Sequence, residues 1–149
     1  FNILVLISIC IISYVKADSK HNITSELKKG GKLIFIRHAY APGGGDPENF
    51  DIDNCATQRN LNDIGRIQSK KIGDFFKKNN IPLGKVFSSE WCRCKDTASI
   101  AFKKFETKSF LNSFFSEQFA KNKKNQIKDF HKFIDEWDKN QNLIVLCVW

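Results

Sequence analysis

Three short apolar runs, separated by segments with helical periodicity, limit how this chain of 149 residues can fold. They are KLIFIR (32–37), KVFS (85–88) and NLIVLCVW (142–149). Runs this short, nearly continuous in hydrophobicity, are typical of strands that are buried on both faces of a parallel sheet. Strands that alternate with helices predict an α/β fold, here a three-layer α/β/α sandwich with a mainly parallel sheet.

The segments between the runs predict amphipathic helices at 61–80, 91–105 and 124–140. A shorter helix is expected at 22–29, and a third strand or a turn at 108–115. In the first of the long helices, the predicted apolar face consists of Ile64, Ile67, Ile72, Phe75 and Phe76. In the last, the predicted face consists of Ile127, Phe130, Ile134 and Trp137.

The first seventeen residues differ in composition from the rest. Their apolar run, Ile3 to Tyr14, is about twelve residues long, short of the ~20 that a bilayer span needs. With Ala17 as a small residue before the expected cleavage point, residues 1–17 are interpreted as a secretory signal peptide. The alternative is an uncleaved N-terminal anchor. We therefore expect one domain over 18–149, exported to the periplasm or secreted, and, because the sequence has no Met, a chain truncated at its start.

Basic residues outnumber acidic ones, 24 to 16, which gives a formal net charge of +8. The lysines are scattered, which is typical of a solvated surface, and we predict no nucleic-acid partner. If the protein is exported, disulfides are permitted, and we expect Cys55 to pair with Cys92 or Cys94. The CRC spacing does not suit a metal site, so no metal is predicted.

Arginine is rare, and two of the four arginines follow predicted strands. Arg37 and His38 end the first run, and Arg93 comes shortly after the second. Because ligands in open parallel sheets bind at the carboxyl ends of the strands, these side chains are expected at one edge. A neutral imidazole is a competent nucleophile toward phosphorus, and arginine forks offset phosphoryl charge. The alternative for His38 is a structural histidine at the edge of the sheet.

The stretches LIFIRHA (33–39) and SSEWCRCKDTA (88–98) resemble the histidine phosphatase superfamily, which has the phosphoglycerate-mutase-like fold. That family has R-H-G after its first strand and a pattern close to S-S-x-x-x-R-x-x-x-T-A after its second. The second pattern is matched by Ser88, Ser89, Arg93, Thr97 and Ala98. A further family segment between the two is matched by Leu61, Gly65 and Gln68. DNCATQRNL together with WCRC looks most like an exported bacterial branch of small histidine phosphatases.

The resemblance implies phosphomonoester hydrolysis through a phosphohistidine on His38, with Arg37 and Arg93 clamping the phosphoryl group. Arg59 is a further candidate contact to substrate, with a loop salt bridge as the alternative. The implied ligand is a small phosphorylated substrate, and no metal or cofactor is implied. Ala39 stands where the family usually has glycine.

One departure concerns a second histidine that the family places after a late strand. Here the run ends in Cys147, Val148 and Trp149, where a Thr-His pair would be expected, and the remaining histidines are His21 and His131. The sequence therefore predicts a C-terminally incomplete domain whose last strand exposes its edge. Two other functions stay open: a catalytically impaired module that binds phosphate ligands, and a basic secreted protein that binds polyanions through lysine.

Overall fold

The structure is a computed structural model that describes residues 23–147. The predicted signal peptide over 1–17, His21 and the last two residues lie outside the described residues. The long helices are α2 (Asp63–Lys78), α3 (Cys92–Phe102) and α5 (Lys123–Asp135), and the short ones are α1 (Ile23–Lys28) and α4 (Glu117–Ala120). The strands are β1 (Leu33–Arg37), β2 (Leu83–Ser88), β3 (Glu106–Thr107) and β4 (Asn142–Cys147).

The described strands form one parallel sheet in the order β1-β4-β2-β3. The prediction that the last strand exposes its edge was wrong. The chain returns from α5 between the first two strands, so β4 pairs with β1 on one side and with β2 on the other. Arg37 at the end of β1 is in register with Cys147, and Ser88 at the end of β2 with Leu146. The carboxyl ends of β1 and β2 therefore flank the end of β4.

Alternate strand residues face opposite helical layers. On one face, Val86 and Ile144 are buried with Phe76 of α2 and Ala98 of α3. On the other face, Phe87 packs with the α5 side chains, its ring centroid 4.8 Å from that of Phe133. Because each face of the sheet is covered by helices, the predicted three-layer α/β/α sandwich is confirmed.

The helices are where they were expected, but two of their buried faces differ from the prediction. On α2, Ile64 and Ile67 are exposed, and the buried face runs through Gly65, Ser69 and Phe76. A Cβ on Gly65 would lie 2.0 Å from the carbonyl oxygen of Tyr40, so this face is built from small residues that let the backbones approach. The predicted face was therefore wrong for Ile64, Ile67 and Phe75, which are exposed, and right for Phe76 and Ile72, which lie in or against the core.

On α5, Ile127 is exposed, and the aromatic side of the helix is formed by Phe130 and Phe133, which pack in one cluster with Trp137. The helix ends at Asp135, earlier than expected, so Trp137 follows the helix. Of the strand or turn expected at 108–115, the structure has the turn, a 3-10 turn at Ser109–Leu111, and the third strand is the two-residue β3 that precedes it.

Candidate active site

His38 follows β1 at the carboxyl edge of the sheet, where its side chain is 7% exposed. Its Nδ1 lies 2.7 Å from the carbonyl oxygen of Ala39. Because a carbonyl oxygen only accepts, Nδ1 carries the proton and donates it to Ala39, which leaves the lone pair on Nε2. Nε2 is buried and has no hydrogen-bond partner among the described residues. The ring is therefore held in one tautomer with an unused acceptor nitrogen.

Several effects keep this imidazole neutral. The pKa of His38 is lowered from 6.5 to about 4, first by burial and then by the nearby charges of Arg93, Arg59 and Arg37, against a raising effect of the Ala39 hydrogen bond. The imidazole is thus unprotonated at neutral pH. Because the charges of Arg93, Arg59 and Arg37 all lower this pKa, the three arginines lie near His38.

Arg93 lies in the first turn of α3 and is 2% exposed. Its Nη1 donates to Asp46 Oδ1 at 2.6 Å and its Nη2 to Asp46 Oδ2 at 3.1 Å. Nη1 also donates to the backbone carbonyl of Arg59 at 3.3 Å. The Nε–H is buried and has no partner in the described part of the chain. Arg93 is therefore fixed at one end, with a buried donor left over.

Asp46 belongs to the glycine-rich loop that follows His38, and four donors hold its carboxylate. Besides the two bonds from Arg93, the indole Nε1 of Trp91 donates to Oδ2 at 2.9 Å and the backbone N–H of Arg59 to Oδ1 at 3.1 Å. Burial opposes ionisation, but the hydrogen bonds from Arg93, Trp91 and Arg59 outweigh it and lower the pKa of Asp46. Asp46 is therefore an ionised carboxylate.

The other two arginines are placed differently. Arg59 binds the loop itself: its Nε donates to the carbonyl oxygen of Gly45 at 3.0 Å, and its Nη1 to that of Ala41 at 2.5 Å. Arg37, the last residue of β1, is exposed. The predicted residues His38, Arg37, Arg93 and Arg59 are therefore in one neighbourhood, although Arg59 also braces the loop.

The matched motif residues fix the turn after β1 against two helices. Thr97 Oγ1 accepts from the backbone N–H of Ala39 at 3.0 Å and donates to the carbonyl oxygen of Arg93 at 2.7 Å. Gln68 Oε1 on α2 accepts from the N–H of Tyr40 at 2.8 Å. Thr97 thus joins the nucleophile candidate to the arginine candidate through one hydroxyl group.

A disulfide joins Cys55 to Cys92, with 5.7 Å between their Cα atoms. This selects one of the two predicted pairings, and Cys94 lies buried beside Trp91. Gln58 reinforces the junction: its Oε1 accepts from the N–H of Cys92, and its Nε2 donates to the carbonyl oxygens of Asp51 and Ile52. The loop is therefore anchored to the start of α3 at several points.

His131 does not replace the second histidine of the family, because it is exposed on α5. Over residues 23–147, no cluster of His, Cys, Asp and Glu side chains is suited to hold a metal ion. Within the same range, no helix has the length and hydrophobicity to cross a membrane.

Sequence reasoning missed Asp46 and its partner Trp91 as site residues. The available signal was an isolated acid within GGGDP, in a long loop that follows the candidate nucleophile. Nothing in the spacing indicated which of the loop acids, such as Asp51 or Asp53, would reach Arg93. That choice depends on where the loop folds back over α3.

A parallel α/β/α fold that gathers a neutral imidazole and arginines at its carboxyl edge has the chemistry that an oxyanion site requires. The chain matches the family model of the histidine phosphatase superfamily, branch 1, over residues 33–143. The chain belongs to this superfamily, which confirms the resemblance seen in its motifs. No curated protein matches the sequence.

Solved structures with the same fold include the protein histidine phosphatase SixA complexed with tungstate (13% identity, TM-score 0.54, covering 77% of this chain and 67% of that chain). A putative phosphohistidine phosphatase SixA from Agrobacterium tumefaciens is also similar (18%, TM-score 0.52, 76% and 66%). A third is the product of open reading frame Rv3214 from Mycobacterium tuberculosis (14%, TM-score 0.54, 77% and 72%). At these identities the likeness concerns the fold, and the chain spans about two thirds of the length of the first two.

Proposed function

We propose that the protein is a phosphomonoester hydrolase that works through a phosphohistidine on His38. The observation that carries this proposal is the state of the imidazole: it is buried and neutral, with Nδ1–H bound to Ala39 and the lone pair of Nε2 unused by any of the described residues. A structural histidine at a sheet edge has no need of a buried acceptor without a partner. A nucleophile requires one.

In the first step, the Nε2 lone pair forms a bond to phosphorus while the P–O ester bond breaks, and the leaving oxygen takes a proton from solvent. In the second step, water attacks the phosphorus and releases a proton to solvent, the P–N bond breaks with its electron pair returning to Nε2, and inorganic phosphate leaves. Arg37 and Arg93 clamp the phosphoryl oxygens and offset their charge, and Arg59 is a further contact to substrate. Donors that are already fixed in place need little reorganisation during the reaction.

The substrate is proposed to be a small phosphorylated molecule. Asp46 is not the proton donor in this scheme, because its hydrogen bonds with Arg93 and Trp91 keep it ionised. Export to the periplasm or secretion remains part of the proposal, and the Cys55–Cys92 disulfide supports it, since such bonds persist in oxidising compartments.

The second candidate function is a phosphate-ligand-binding module with impaired turnover. It is favoured by the sequence at the end of β4, where Cys147, Val148 and Trp149 stand in place of the Thr-His pair that the family resemblance leads us to expect. In the family, that histidine acts mainly on the transferring phosphoryl group, so its loss lowers kcat more than binding.

The test combines tungstate binding by calorimetry with p-nitrophenyl phosphate hydrolysis, both on the full chain. The hydrolase proposal expects tungstate to bind competitively with substrate, and turnover to depend on His38 and Arg93. If the protein is a binding module, tungstate should bind, but turnover should be at least ~10²-fold below that of a homologue that has the second histidine. That factor is the smallest rate loss usually seen when one electrostatic donor is removed.

Arg66→Ala is the matched control, because Arg66 is an arginine on the exposed side of α2, 3.7 Å from Asp96. It should bind tungstate as the wild type does, whereas Arg93→Ala should lose binding. Tungstate affinity that survives Arg93→Ala and falls steeply with salt would instead indicate a polyanion-binding protein that acts through its lysines.

A further inference from the structure

Arg93 uses some of its N–H donors within the protein and leaves others without a partner among the described residues. A guanidinium has five N–H groups in a rigid planar fork. In this chain, the Nη1/Nη2 end of the fork binds both oxygens of Asp46, and the second N–H of Nη1 points to the carbonyl oxygen of Arg59. Three of the five donors are thereby used within the protein.

The two donors that remain are the Nε–H and the second N–H of Nη2. Because Nη2 is the nitrogen trans to Cδ, these two hydrogens lie parallel along one side of the guanidinium. That side is the second bidentate face of an arginine, and its spacing matches two oxygens of a phosphoryl group. Since the Nε–H is buried without a partner in the described residues, this face has a donor that the described part of the protein does not use.

We propose that Asp46 is a positioning residue: it grips the end of the Arg93 fork so that the side face, Nε–H and Nη2–H, is presented to the transferring phosphoryl group. This inference rests on the proposed function, because it assumes that the oxyanion binds at Arg93. Its physical basis is a carboxylate that is itself immobilised by the indole of Trp91 and the backbone N–H of Arg59. Without the two hydrogen bonds to Asp46, the guanidinium is free to rotate, and its Nε–H/Nη2–H side no longer faces the ligand.

The alternative is that Asp46 competes with phosphate for Arg93. The two roles predict opposite signs in one experiment. Neutralising an acid beside an anion site strengthens anion binding by Coulomb's law alone, and relief of competition does so too. Loss of positioning weakens binding instead.

The experiment measures tungstate affinity by calorimetry on the full chain and on Asp46→Asn. The asparagine keeps the size of the side chain but replaces one accepting oxygen with an NH2 group, so that its N–H donors face an N–H of Arg93, Trp91 or Arg59. We expect tungstate to bind at least about tenfold more weakly to Asp46→Asn, the effect of losing one charge-assisted hydrogen bond. Unchanged or tighter binding would overturn the positioning role.

Asp53→Asn is the matched control, because Asp53 is an exposed acid of the same loop and its loss changes the charge by the same amount. It should leave the tungstate affinity within about twofold, since exposed charges are screened. Asp46→Glu serves if Asp46→Asn does not fold: it keeps the charge but displaces the carboxylate by one methylene, and it too should weaken binding.

A spectroscopic readout separates positioning from a general structural effect. The chain has four arginines, so each Nε–H signal in a nitrogen–proton spectrum is assignable by substitution to lysine. In the wild type, tungstate should shift the Arg93 Nε–H signal downfield, and in folded Asp46→Asn this shift should be lost. If the wild type binds no tungstate, the proposed function fails. If it binds through Arg93 with no shift at Nε, the function stands and the positioning role is wrong.

Discussion

Two regions of the molecule are held together in different ways. The site segment, residues 37–98, contains seven of the buried polar side chains found among the described residues, whereas the aromatic segment, residues 105–137, contains only Gln126. The aromatic segment is joined by ring contacts, such as those of Phe133 with Phe87 and with Phe110. Hydrogen bonds fix orientation, whereas apolar burial mainly supplies stability. We therefore expect substitutions in the aromatic segment to lower stability and to leave the site intact.

The largest expected effect of a single substitution is on the nucleophile. His38→Ala should abolish phosphoryl transfer to the protein, because within residues 23–147 no other imidazole is buried with an unpartnered ring nitrogen. The measurement is covalent labelling by a radiolabelled phosphomonoester with an alkaline quench, since phosphohistidine is acid-labile. His131→Ala, on the aromatic segment, is the control and should label as the wild type does. Labelling of His38→Ala at the wild-type level would remove His38 from the mechanism.

In the aromatic segment, Leu111→Ala should reduce stability without changing the site. Leu111 is 6% exposed within the cluster around Phe87, so its truncation should lower the free energy of unfolding by about 4 kcal/mol. Urea unfolding measures this loss, and calorimetry below the transition should return the wild-type tungstate affinity. A large drop in affinity in the folded variant would show that the two regions are coupled.

Removing the disulfide tests the site segment, which contains both cysteines. Cys55→Ala with Cys92→Ala opens a loop of 37 residues, which should lower the free energy of unfolding by about 3–4 kcal/mol. Because the disulfide also ties the loop after β1, which contains Asp46 and Arg59, to the start of α3, tungstate affinity should fall as well, unlike in Leu111→Ala. A variant that keeps full affinity would show that the hydrogen bonds of Gln58 and Asp46 hold the loop without the disulfide.

A smaller effect is expected where α2 approaches the turn after His38. Gly65→Ala would place a Cβ 2.0 Å from the carbonyl oxygen of Tyr40, and we expect a loss of about 1–3 kcal/mol together with weaker tungstate binding. Gly44→Ala is the control, because its Cβ would meet nothing within 4 Å. Thermal unfolding of both variants decides the point. Equal stability would mean that the turn moves aside at little cost.

Much of this architecture was predictable because it follows from local pattern. The parallel strands, the helices between them and the place of His38 and Arg93 at strand ends come from short apolar runs and two motifs. The interior position of β4 was not predictable in that way, since strand order is set by long-range pairing. Nor was the buried face of α2, where close backbone approach at Gly65 outweighs the hydrophobicity of Ile64 and Ile67. Asp46 was missed because only the folded loop brings it to Arg93.

The state of His38 also has a consequence for stability. Its pKa in the folded protein, about 4, lies below the ordinary value of 6.5, so between these values the unfolded chain binds more protons. The contribution of His38 to stability is therefore fully present above about pH 6.5 and is lost as the pH falls toward about 4. Urea unfolding at pH 7 and pH 5 should show a smaller stability difference in His38→Ala than in the wild type.

Direct titration of His38 by nuclear magnetic resonance tests the central claim, that the imidazole is neutral and that its Nε2 lone pair is available to attack phosphorus. The chain has three histidines, so the imidazole signals are assignable with His38→Ala. We predict that His38 is a single Nδ1–H tautomer at pH 7 and that its pKa is about 4. A pKa near 6.5, or a proton on Nε2 at pH 7, would contradict it.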